Sequence, residues 1–195
     1  MTTVIPSPRT VAARELPAAH ERHAPRTPMR AVLGLAAALA LVAAVALSPR
    51  IALPAAAHDA VLLVHLAALV LGFGAVLAVD WHGALWLLRR VSLEELLAVT
   101  GRLTAAIWVG LGALVATGAL LSPDLASPAA RVKLALVAVA AANGVHASSV
   151  HAALCRTARH GGAVPIALLV RGLATGAVSQ AAWWGATIIG FLTAH

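Results

Sequence analysis

Six side chains that can move protons, ligate a cation or hydrogen-bond a solute sit inside strongly apolar stretches: His65, Asp80, His82, Asn143, His146 and Gln180. Ionisable groups are costly in such surroundings, so each is a candidate for function. Imidazole and carboxylate can bind zinc or copper, relay a proton, or simply satisfy one another. Asn143 and His146 are three residues apart and share a helical face that Ser149 extends. His151 follows His146 by five residues and turns about 140° away, so the two do not grip one ion from an unbroken helix.

Depth narrows the combinations further. His65 lies six residues past Asp59, about 9 Å below that boundary, and His146 lies 15 residues past Arg131, about 22 Å from the same side. The two rings then differ in height by about 13 Å, too far for one ion, though a haem between staggered ligands remains compatible. Copper or haem would therefore use His65 or His146. Asp80, His82 and His146 come out at similar depths and form the polar neighbourhood that the spacing allows. The structural alternative is a buried histidine bonded to a hydroxyl or a backbone carbonyl across a helix interface. Gln180 falls mid-run and needs a partner from another helix. Trp183 and Trp184 lie deeper than headgroup level and are expected to pack against glycine-rich neighbours, whereas Trp81 and Trp86 read as interfacial anchors.

Catalytic signatures are missing from the sequence. It has no Walker-type glycine loop, no H-E-x-x-H, no G-x-S-x-G, and Cys155 is its single cysteine. The expectation is a protein that is not an enzyme.

The elements that carry these residues follow from composition. Of 195 residues, 61% are hydrophobic and 11% are charged, which excludes an ordinary soluble domain, a disordered chain and a disulfide scaffold. An all-α integral membrane bundle remains. Apolar runs at 31–48, 59–88, 103–121, 131–154 and 165–192 predict five transmembrane helices, or four if the first is cleaved as a signal peptide. The run 31–48 is longer than a usual signal core and reads as a retained helix. Residues 1–30, with five prolines and five arginines, read as a disordered basic cytoplasmic tail, and translation from Met29 is an alternative start.

The net charge of +7 belongs to tails and connections rather than to a nucleic-acid surface, since no aromatic residue interleaves with the cations. Eleven arginines fall on the side of the tail and of the connections 89–102 and 155–171. Arg50, Arg131 and Lys133 fall on the other. This bias predicts a bacterial inner-membrane protein with its N-terminus in the cytoplasm and its C-terminus outside. Helix contacts should be marked by small residues: Gly72 and Gly74, Gly112-xxx-Ala116 with Gly110 and Gly118 nearby, and Gly172-xxx-Gly176. The last pair could serve ordinary packing, or a face for a second copy or another membrane protein.

His65-Leu66-Ala67 followed by Gly72-Phe73-Gly74 resembles the opening of copper-resistance-D-like multi-pass membrane proteins. Thr117-Gly118, Lys133-Leu134 and Asn143 extend the likeness over about residues 60–145. The resemblance implies a helical membrane protein linked to copper uptake or tolerance, with His65 as the first metal contact. The chain departs from that expectation in having no methionine-rich or cysteine-containing ligand set for Cu(I). The expected function is a membrane component, either a partner subunit or a minor transporter. The alternative is a copper- or haem-binding bundle.

Overall fold

A computed structural model describes residues 53–122, 124–160 and 163–193. The basic tail 1–30 and the run 31–48, expected to form the first span, lie outside the described residues. Four helices make up the rest: α1 (Ala55–Leu87), α2 (Leu93–Leu120), α3 (Pro128–Arg159) and α4 (Ile166–Leu192). Each is long and apolar enough to cross a membrane. With 27 to 33 residues, they measure about 40–50 Å, more than the roughly 30 Å of a hydrocarbon core.

The ends of the helices correct several expected boundaries. α1 starts directly behind Pro54, four residues before Asp59. α2 starts ten residues earlier than the apolar run, because the Ser92 hydroxyl accepts the Glu95 N–H at 3.1 Å and caps a polar first turn containing Glu94 and Glu95. α3 opens on Pro128 and runs through Arg156 and Arg159, whose charges suit a helix C-terminus. Pro165 caps α4 rather than lying in its first turn. The α1–α2 turn is short. Arg90 N–H donates to Leu85 O at 2.8 Å and Arg89 N–H to Trp86 O at 2.9 Å, with Arg89 at a left-handed φ of 58°.

The bundle is built from two antiparallel hairpins. α1 packs closely on α2 and α3 on α4, while the hairpins touch each other sparsely through α2–α3 and α1–α4. The α1–α2 seam closes where Gly72 meets Gly110. A Cβ on Gly110 would fall on the Gly72 backbone and 2.9 Å from Ala68 O. Gly74 and Gly112 face open space, so one glycine of each expected group makes the contact and its neighbour does not. In the second hairpin Asn143 Nδ2 donates to Thr175 O at 2.8 Å, and Gly172 and Gly176 are turned toward Leu154 and Asp80 of the same chain.

Two apolar clusters join the hairpins. One, at mid-height, contains Phe73, Val76, Leu111, Ala140, Ala182 and Trp183. Trp183 stacks on Phe73 with centroids 5.7 Å apart, its ring lies over Gly72, and Trp184 meets Phe73 edge-on at 4.9 Å. The tryptophans thus pack against an aromatic ring and a glycine. The second cluster, near the 88–92 and 160–165 turns, contains Leu97, Val150 and Leu154. The outer surface is apolar in turn: Val70 and Ile166 are each 74% exposed, whereas Ala182 is 2% exposed.

Candidate functional site

Between the two apolar clusters the hairpins separate and leave a cavity of about 490 Å³. That is within the range of small-molecule sites, roughly 300–1,000 Å³. All four helices contribute polar groups: Asp80 from α1, Thr100 and Thr104 from α2, Asn143, Ser148 and His151 from α3, and Thr175, Ser179 and Gln180 from α4. Trp86, Trp108 and Trp183 supply aromatic wall.

Asp80 is the pivot of this arrangement. Gln180 Nε2 donates to its Oδ2 across the gap between hairpins. Gly176 makes room for the carboxylate, since a Cβ there would lie 3.4 Å from Asp80 Oδ1. The bonds His65–Thr117 and Asn143–Thr175, by contrast, each stay within one hairpin. Gln180 therefore finds the interhelical partner that its mid-run position demands, and the partner is a carboxylate.

The Thr100, Thr104, Ser148 and Thr175 hydroxyls spend their protons on their own helices. Thr100 Oγ1 donates to Leu96 O at 2.8 Å, Thr104 Oγ1 to Thr100 O at 2.7 Å, and Ser148 Oγ to Gly144 O at 2.8 Å. Their oxygens keep lone pairs but have no proton to offer. Asn143 and Gln180 each direct an N–H to an oxygen, which leaves both amide carbonyl oxygens for other partners. His151 Nε2 lies 3.5 Å from Cys155 Sγ, while its Nδ1 is buried without a hydrogen-bond partner.

The histidines expected to share Asp80's neighbourhood are elsewhere. His82 Nδ1 is 2.8 Å from Ala78 O, one turn back on its own helix. His146 is exposed. The inward face of α3 is set by buried Ala140, Val150 and Leu154, and it carries Asn143, Ala147 and His151 into the cavity at intervals of four. His146 is rotated about 100° from Ala147 and falls off that face. His151, set aside by its angle to His146, is the histidine that lines the cavity.

His65 stands apart, toward the opposite end of the first hairpin. Its Nδ1 lies 2.8 Å from Thr117 Oγ1, and that hydroxyl donates to Ala113 O at 2.6 Å. With the hydroxyl proton so used, His65 donates from Nδ1 and keeps its lone pair on Nε2. The bond ties α1 to α2. Gly118 lies against the same ring, since a Cβ there would be 3.5 Å from His65 Cε1. Among the described residues, no three His, Cys, Asp or Glu side chains come together as a metal-holding group.

Thr100 was hidden because its segment reads as a connection between spans, and Thr104 lies at the very start of the run 103–121. Their i, i+4 spacing, and that of Asn143, Ala147 and His151, were the signals available. Comparison of the chain with protein-family models, with curated proteins and with solved structures finds no match.

Proposed function

We propose that this chain is a non-enzymatic, multi-pass protein of the bacterial inner membrane that holds a small solute between its two hairpins, as a minor transporter or the solute-binding subunit of one. The observation that carries this reading is the Asp80–Gln180 bond, which bridges separate hairpins at the wall of a solute-sized cavity. A carboxylate kept at that depth is costly, and structural packing alone does not require it. Sparse contact between tightly built hairpins also supports it, because two rigid units can rock about a site between them.

The orientation follows from charge. Six arginines (Arg89, Arg90, Arg102, Arg156, Arg159 and Arg171) lie toward the end with the 88–92 and 160–165 turns, against Arg131 and Lys133 toward the other. That end faces the cytoplasm, and the cavity lies in the cytoplasmic half.

The test is binding to the purified protein in detergent, followed by tryptophan fluorescence, with a panel of cationic, anionic and neutral aromatic solutes. At least one class should quench emission saturably. Ala147→Phe, which fills the cavity from α3, should abolish that quenching while the protein stays monodisperse and helical. Absence of saturable quenching by every member of the panel would overturn the reading.

A further inference from the structure

Among the described residues, no lysine or arginine lines the cavity. Two ionisable groups do: Asp80 from α1 and His151 from α3, while α2 and α4 contribute none. The hydroxyl walls face inward with lone pairs, since Thr100, Thr104, Ser148 and Thr175 all donate to carbonyls of their own helices. Amide carbonyl oxygens of Asn143 and Gln180 add to that surface. The second N–H of each amide, the Ser179 hydroxyl and the indole N–H groups are donors a neutral solute could also use, but an anion would meet Asp80. A cation meets a carboxylate, several acceptor oxygens and three indoles whose ring faces attract positive charge.

Resting on the reading of this cavity as a solute site, we propose that its occupant is a lipophilic organic cation, held by Asp80 and by the tryptophan walls. The apolar remainder of the lining, including Ile107, Leu111 and Leu173, favours an organic cation, which has hydrocarbon to bury there, over a small metal ion that keeps its shell of water. An organic cation carries no such shell and buries its hydrocarbon against those residues. Asp80 supplies the selectivity for charge. Gln180 holds the carboxylate toward the gap and acts as a positioning residue.

The experiment compares two ions of nearly the same shape and opposite charge, tetraphenylphosphonium and tetraphenylborate, on the full chain in detergent. Tetraphenylphosphonium should quench tryptophan emission saturably, and tetraphenylborate should bind at least about tenfold more weakly. Asp80→Asn should weaken tetraphenylphosphonium about tenfold or more and erase most of the preference, and Asp80→Glu should restore it. The comparison of the two ions on the unaltered protein decides the matter even if Asp80→Asn fails to fold. Equal binding of both ions, or full affinity in Asp80→Asn, overturns the assignment of a cation and leaves a solute site in place. Binding of neutral or anionic members of the panel without tetraphenylphosphonium has the same consequence. If no solute binds at all, the cavity reading falls and this inference with it.

Discussion

The contact between Gly72 and Gly110 makes the sharpest stability prediction. In Gly110→Ala the new methyl would fall on the Gly72 backbone and 2.9 Å from Ala68 O, where non-bonded atoms settle near 3.5–4.0 Å. The obstacle is backbone, so no side chain can rotate aside, and α1 and α2 must part by about 1 Å. A gap of that size forfeits a quarter to a half of each dispersion contact along the seam. Overpacking of this kind costs about 1–3 kcal/mol and occasionally more, and the backbone obstacle places Gly110→Ala near the top of that range. Gly112→Ala is the control. Its methyl meets nothing within 4 Å, and alanine in a helix is favoured over glycine by about 0.5–1 kcal/mol. The two substitutions are identical in chemistry, two residues apart, and opposite in expected sign, with a separation of about 3 kcal/mol. Denaturation by SDS in mixed micelles, followed by far-ultraviolet circular dichroism, measures that separation. Equal midpoints for the two variants would refute the argument that α1 and α2 meet at Gly110.

The His65–Thr117 bond should appear as a coupling of about 0.5–1 kcal/mol in a double-mutant cycle of His65→Ala and Thr117→Val, read by the same unfolding assay. Zero coupling would remove its role as a tie between α1 and α2. For orientation, single cysteines are placed in a Cys155→Ser background. Ser92→Cys should react with a membrane-impermeant maleimide only after permeabilisation, and Asp124→Cys should react in intact cells. The reverse pattern would invert the orientation drawn from the arginines.

The four described helices were legible because each contains a long apolar run, and their antiparallel pairing follows from short connections. The start of α2 was not. Glu94, Glu95 and Arg102 make its first turns resemble a loop, and the Ser92 cap that holds them helical is a three-residue signal inside a charged stretch. Asp80, Asn143 and Gln180 stood out as polar residues in apolar surroundings, and all three line the cavity. Which of them would pair did not stand out, because pairing depends on the rotation of each helix. On α3 that rotation is decided by Ala140, Val150 and Leu154, which look no different from the other aliphatic residues of the run. The same ambiguity placed His146 inward and Gly112 in the seam. Both differences are rotations about a helix axis, which apolar composition on every side does nothing to fix.

Asp80 and Gln180 are separated by 100 residues of chain. At ribosomal rates of about 5–20 residues per second, the carboxylate is made about 5–20 s before the amide that will bind it. During that interval the first hairpin stands complete along its own seam but holds an acidic group with no companion. Docking of the second hairpin ends this exposure, so the bond that shapes the finished cavity also tells a half-assembled chain from a whole one.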